Sequence, residues 1–111
     1  MRAMYAAFNA RDMAAVLAAM TRDVTWPNGW EGGVVQGQAA VADYWTRQWA
    51  AIDPTVTPEA FEDDPDGRLR IRVRQVVRDL AGQVLSDQPV FHVYAFDGPL
   101  IRSMEIQPVP A

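Results

Sequence analysis

The sequence contains no cysteine and only one histidine in 111 residues. Without cysteine, neither a structural disulfide nor a zinc site built from thiolates can form. With a single histidine, one chain cannot supply a metal site that needs several imidazole ligands. We therefore expect no metal site in this protein.

The chain also lacks a long apolar segment and an excess of basic residues. No stretch approaches the roughly 20 apolar residues of a membrane-spanning helix, and the start lacks the basic-then-apolar order of a signal peptide. The 14 acidic residues outnumber the 10 basic ones, which gives a net charge of −4. Because nucleic-acid binding needs a basic surface, we expect neither a nucleic-acid nor a membrane partner. The default location is the cytoplasm.

Three amphipathic segments occupy the first half of the chain. Half of the residues are hydrophobic, and the length predicts one domain over residues 1–111. Asp12 is suited to cap the second helix, and residues 38–52 form a third that ends at Asp53 and Pro54. The helical spacing of apolar residues predicts a core face made of Met4, Tyr5 and Phe8, then Met13, Val16, Leu17 and Met20, then Val41, Tyr44, Trp45, Gln48, Trp49 and Ile52.

The second half of the chain carries strand signals. A first short strand is predicted over residues 23–26, followed by a long loop over residues 27–33. Turn sequences at residues 64–67, 79–82 and 97–99 join successive extended runs. Three hairpins make an antiparallel sheet of about four strands, and helices followed by strands predict an α+β fold.

Three segments together resemble the nuclear transport factor 2-like superfamily, in particular its SnoaL-like members. They are YAAFNARD with TRDVTW (residues 5–12 and 21–26), GQAAVADYW (residues 37–45) and HVYAFDGPLIRSM (residues 92–104). The resemblance implies an α+β fold in which three N-terminal helices pack on a strongly curved antiparallel sheet, forming a cone with an apolar pocket. It also implies a homodimer.

Ketosteroid isomerase is a relative with a known mechanism, and the resemblance permits a comparison of catalytic positions. Asn28 falls at the position of the general base, Met4 at that of the helix tyrosine, and Phe91 at that of the late aspartate. None of these side chains can exchange a proton, so the same mechanism is not expected. A shift of one residue would instead place Tyr5 and His92 at two of these positions.

Two polar residues are predicted on strands. Period-two alternation over residues 69–79 puts Gln75 on the core face and the arginines on the other. Gln75 either binds a ligand or is satisfied by a neighbouring group. His92 is the side chain best suited to acid/base catalysis near neutral pH, and the alternative is a structural or interface histidine. In the isomerase comparison, Phe91 and Val93 would face inward instead.

The loop after the first strand supplies the remaining candidates. Trp26 and Trp30, with Tyr44 from the third helix, could form an aromatic wall at the pocket, while Asn28 and Glu31 would orient a ligand. Glu31 is the best carboxylate for a general base, and the alternative is ordinary solvent exposure. Trp45 and Trp49 are expected in the core instead.

The arginine-rich strand has two interpretations. Arg68, Arg70, Arg72, Arg74 and Arg78 share one face and could bind an anion. We favour ion pairs with acidic residues on the neighbouring strand and turn, residues 62–66.

The sequence thus predicts a protein that captures a small apolar or polyketide-like molecule without a cofactor. A titratable group that faces the pocket would favour an isomerase, cyclase or dehydratase. The alternative is a non-catalytic module for ligand binding or dimerisation.

Overall fold

The computed structural model describes residues 1–110, which form helices followed by a sheet. The helices are α1 (Arg2–Asn9), α2 (Met13–Ala18) and α3 (Gln38–Ala51). The strands are β1 (Met20–Pro27), β2 (Val34–Gln36), β3 (Asp53–Asp63), β4 (Leu69–Arg78), β5 (Val84–Asp97) and β6 (Leu100–Pro108). The predicted α+β class is confirmed. No helix in this part of the chain is long and apolar enough to cross a lipid bilayer.

Short polar contacts define the helix ends. The Asp12 carboxylate accepts a hydrogen bond from the Ala15 N–H at 3.2 Å and caps α2, as predicted. Arg11 takes the left-handed conformation, with φ of 63°, at the corner between α1 and α2. Its side chain donates to the carbonyl oxygen of Pro54 at 2.8 Å and pairs with Asp53, which ties this corner to the start of β3.

The sheet has six strands in the order β2-β1-β6-β5-β4-β3. The three predicted hairpins are present, since β3–β4, β4–β5 and β5–β6 are antiparallel pairs. These hairpins supply the four antiparallel strands that were predicted, and the sheet extends beyond them: β1 runs parallel to β6, and β2, which was not predicted, pairs with β1. A three-residue strand such as β2 has too few residues to show a period-two pattern.

The two faces of the sheet differ in chemistry. On the inner face, Ile71, Val73 and Tyr94 belong to the core cluster, together with Trp45 of α3. On the outer face, arginines of β4 pair with acidic residues, but only Glu62 among their partners lies in the predicted range of residues 62–66, because Arg74 reaches Asp87 of β5 and Arg72 reaches Glu59 earlier in β3. These pairs are Arg70–Glu62 at 2.9 Å, Arg74–Asp87 at 2.6 Å and Arg72–Glu59 at 3.7 Å.

Candidate functional site

A cavity of about 310 Å³ lies between the helices and the inner face of the sheet. Its size is at the lower end of the range for small-molecule pockets, roughly 300–1,000 Å³. Seven of the 22 residues that line it are aromatic, namely Tyr5, Phe8, Trp26, Trp30, Tyr44, Trp45 and Tyr94. Aromatic side chains therefore form part of the cavity wall, together with aliphatic and amide side chains.

Three polar side chains meet at the closed end of this cavity, and we call them the polar trio: Tyr5, His92 and Tyr94. The Tyr5 hydroxyl lies 2.9 Å from His92 Nδ1 and 2.8 Å from the Tyr94 hydroxyl. His92 and Tyr94 share the inner face because they are two residues apart on β5. All three are buried, with exposed fractions of 2%, 6% and 0% in chain order.

Burial keeps the polar trio uncharged. It lowers the pKa of His92 to about 4, because the imidazolium form would lose its hydration. Burial likewise raises the pKa of Tyr5 and of Tyr94 above the ordinary tyrosine value. At neutral pH the trio therefore offers hydrogen bonds to the cavity and no charge.

The opposite end of the cavity is open and carries amides. Gln75 and Gln88 are cross-strand partners on β4 and β5, and both line the cavity. Gln75 lies on the inner face, as the alternation predicts, while Arg72 and Arg74 are exposed on the other. Gln75 is half-buried and Gln88 exposed, because the cavity opens here. Within residues 1–110 the Gln75 amide has no hydrogen-bond partner.

Asn28 and Glu31 lie outside the cavity wall. The Asn28 side chain accepts a hydrogen bond from the Glu31 N–H at 2.7 Å and donates to the Glu31 carboxylate at 2.9 Å. Arg47 of α3 donates to the same carboxylate at 2.9 Å. The hydrogen bonds from Arg47 and Asn28 lower the pKa of Glu31, which is exposed to solvent. These contacts brace the loop, whose Trp30 lines the cavity at 40% exposure.

The structure brings five of the seven predicted site residues together. Those that line the cavity are Trp26, Trp30, Tyr44, Gln75 and His92. Trp45 is 2% exposed and packs against the half-buried Trp49 at a ring distance of 5.7 Å, so both belong to the packed interior as expected. Within residues 1–110, no acidic or histidine side chains cluster closely enough to hold a metal ion.

The inward orientation of Phe91 that the isomerase comparison suggested is wrong, and Val93, although only 3% exposed, is the cross-strand partner of Arg70 on the outer face. Phe91 lies on the outer face, where the guanidinium of Arg70 stands 4.8 Å from the centre of its ring. The alternative, shifted by one residue, is the one that brings Tyr5 and His92 together. Sequence reasoning missed Tyr94, although the alternation of β5 around His92 places it on the same face.

Comparison with known proteins identifies the fold independently. The model of the SnoaL-like domain matches residues 1–104. Similar solved structures include TerC co-crystallised with polyporic acid and an NTF2-like protein of unknown function from Burkholderia pseudomallei. Each is 23% identical with a TM-score of 0.81, and 96% of this chain and 85% of the other are covered.

A third similar structure is RV0760c from Mycobacterium tuberculosis in complex with estradiol-17β-hemisuccinate. It is 21% identical with a TM-score of 0.79, over 93% of this chain and 85% of that one. Comparison with curated proteins gives no match. At these identities the likeness to solved structures establishes the fold alone.

Proposed function

This chain belongs to the SnoaL-like domain family, and we propose that it binds a small, largely apolar molecule in the cavity between its helices and its sheet. The polar trio at the closed end of a cavity lined elsewhere mainly by aromatic and aliphatic side chains carries the proposal. Apolar walls favour removal of a ligand from water, and a few placed polar groups fix its orientation. The amides at the open end suit a molecule with oxygen atoms at both ends.

The ligands of two similar structures support this chemistry. TerC was co-crystallised with polyporic acid, and RV0760c forms a complex with estradiol-17β-hemisuccinate. Both compounds consist of rings with oxygen substituents, which is the combination that an aromatic cavity with a polar end favours. They are therefore the first probes for this chain.

Cofactor-independent catalysis, as an isomerase, cyclase or dehydratase, is the second candidate. The observation that favours it is the imidazole of His92, which lines the cavity and is neutral at pH 7. The cavity wall contains no carboxylate, so His92 is the one group there suited to exchange a proton. Glu31 could take part only if the loop turned its carboxylate away from Arg47. We place binding first because these reactions need both a proton donor and a proton acceptor, and His92 is the one suitable group in the cavity wall.

Titration of the protein with the two probes tests the proposal. Tryptophan fluorescence reports binding, since Trp26, Trp30 and Trp45 line the cavity. We expect both compounds to quench the signal and His92→Phe to raise Kd about tenfold, the value of one neutral hydrogen bond. Arg72→Gln, on the outer face, should leave Kd unchanged. If neither probe binds, nor any member of a panel of small ketones, epoxides and polyketide fragments, the proposal fails.

The homodimer and the cytoplasmic location remain predictions. The family resemblance supports a dimer formed through the sheet. Sedimentation equilibrium distinguishes the two states, because a dimer has twice the 12.4 kDa mass of one chain. A monomer at all concentrations would contradict the prediction.

A further inference from the structure

Tyr5 occupies the middle position of the polar trio, and its hydroxyl takes part in both hydrogen bonds of the trio. Three protons are available to these two bonds: one on each tyrosine hydroxyl, and one on whichever nitrogen the neutral imidazole protonates. At most two can be used, so one proton must point elsewhere. The arrangement that leaves no hydroxyl proton unpaired in the protein interior is favoured.

Tyr94 decides between the possible arrangements. Its side chain is fully buried, and within residues 1–110 its hydroxyl has Tyr5 as its one hydrogen-bond partner. If His92 Nδ1–H donated to Tyr5, either the Tyr5 or the Tyr94 proton would be left without an acceptor. If Tyr94 donates to Tyr5 and Tyr5 donates to His92 Nδ1, both hydroxyl protons are paired.

The second arrangement places the imidazole proton on Nε2. That nitrogen has no protein partner in the described part of the chain. Nε2 nevertheless retains some accessible surface. It is not among the fully buried side-chain atoms without a partner, which are Thr21 Oγ1, Trp49 Nε1 and Arg70 Nε. Because His92 also lines the cavity, Nε2–H is available to a ligand.

We propose that Tyr5, by donating to Nδ1, holds His92 in the Nε2–H tautomer, so that the closed end of the cavity selects ligands that present a carbonyl oxygen to His92 Nε2. Tyr5 is then a positioning residue, because it acts through His92. The selectivity rests on the proposed binding function, whereas the tautomer is a property of the protein alone. If the part of a ligand at the closed end contains only carbon, Nε2–H loses water without gaining a hydrogen-bond partner. Such a ligand binds less tightly.

Nitrogen-15 NMR of histidine-labelled protein tests the tautomer. The chain has a single histidine, so the two ring signals need no assignment by mutation. At pH 7.5 we expect a pyrrole-like shift for Nε2 and a pyridine-like shift for Nδ1. Tyr5→Phe should move the two shifts towards each other, because Nδ1 loses its donor. Tyr94→Phe is the matched control and should preserve the pattern, since the Tyr5 proton still has Nδ1 as its acceptor. A pyrrole-like Nδ1 in the unaltered protein would overturn the proposal, whether or not the variants fold.

Binding of 1-tetralone and of tetralin, which lacks the carbonyl oxygen, tests the selectivity. We expect the ketone to bind about tenfold more tightly, and His92→Phe to remove that preference. Equal affinity of the two compounds for the unaltered protein would refute the selectivity while leaving the binding function intact. If none of these compounds, the two probes and the panel of ketones, epoxides and polyketide fragments binds, the binding function fails and the selectivity fails with it. The NMR result still decides the tautomer in that case.

Discussion

The hydroxyl of Tyr5 lies 2.9 Å from Nδ1 of His92, although the two residues are 87 positions apart in the chain. Their rings are also stacked, with centroids 5.9 Å apart and planes inclined by 16°. The contact joins the first helix to the fifth strand at the closed end of the cavity. Helix packing and the orientation of the one histidine therefore depend on each other, so His92 is expected to affect stability as well as ligand binding.

The buried imidazole makes stability depend on pH. The pKa of His92 is lowered to about 4 in the folded protein, against an ordinary value of 6.5. Below pH 6.5 the unfolded chain binds a proton that the folded protein does not, so stability falls as the pH falls and the loss is complete near pH 4. From these two values we expect a loss of about 1 kcal/mol at pH 5.5 and about 2 kcal/mol at pH 4.5.

Urea unfolding of the unaltered protein and of His92→Gln isolates this effect. Carboxylates that titrate in the same range contribute equally to both proteins, so the difference between them reports His92 alone. The free energy of unfolding of His92→Gln should fall less between pH 7 and pH 4.5. Parallel pH profiles would show that the imidazole is hydrated in the folded state.

Glu31 offers a second test, because its carboxylate is bound to Arg47 outside the cavity wall. We expect Glu31→Gln to change Kd for any ligand by less than about twofold. Stability should change only slightly, because an ion pair exposed to solvent contributes little. Comparison with His92→Gln by fluorescence titration, and by turnover if a substrate is found, provides the contrast. A loss of about 100-fold or more in turnover for Glu31→Gln alone would restore the carboxylate as a general base.

The sequence predicted the elements better than it predicted the cavity wall. Helical spacing and turn residues are local signals, so the end of the third helix near Ile52 and the three hairpins were predicted correctly. The inner position of Gln75 followed in the same way from alternation along one strand. The orientation of His92 did not, because the isomerase comparison and the strand pattern differed by one residue, and a shift of one residue reverses the face.

Contacts between distant segments had no comparable signal. Tyr5 reaches His92 only because α1 packs on the sheet, and the only indication of that contact was the isomerase comparison shifted by one residue, not the local sequence of either segment. Asn28 and Glu31 are polar and lie in the loop that carries the cavity residue Trp30, yet their side chains bind each other and Arg47. Composition alone does not distinguish a carboxylate that binds a ligand from one that braces a loop.

Substitution of Gln75 tests whether its amide binds a ligand or stabilises the fold. Its side chain has no hydrogen-bond partner within residues 1–110 and is half-buried. We therefore expect Gln75→Leu to change the free energy of unfolding by less than about 0.5 kcal/mol. The affinity for a ligand with a polar group at the open end should fall, as measured with estradiol-17β-hemisuccinate. Gln88→Leu on the neighbouring strand is the matched comparison. A destabilisation above about 2 kcal/mol would mean that the Gln75 amide is satisfied within the protein.

Asn9 should stabilise the position of the first helix, and with it the position of Tyr5. Its side chain donates to the Val56 carbonyl oxygen at 2.8 Å and accepts from the Val56 N–H at 2.9 Å. It thus pairs with β3, an edge strand, as a neighbouring strand would. Asn9→Ala removes both bonds, and we expect the free energy of unfolding to fall by about 1–2 kcal/mol.

Asn9→Asp separates hydrogen bonding from size. Its carboxylate can accept from the Val56 N–H but opposes the Val56 carbonyl oxygen, so we expect at least as large a loss as for Asn9→Ala. Gln83→Ala is the control, since Gln83 is exposed and its side chain makes no hydrogen bond within residues 1–110. Urea unfolding monitored by tryptophan fluorescence measures all three variants. If Asn9→Asp were as stable as the unaltered protein, the bond to the carbonyl would contribute nothing, and the helix would be positioned by apolar packing alone.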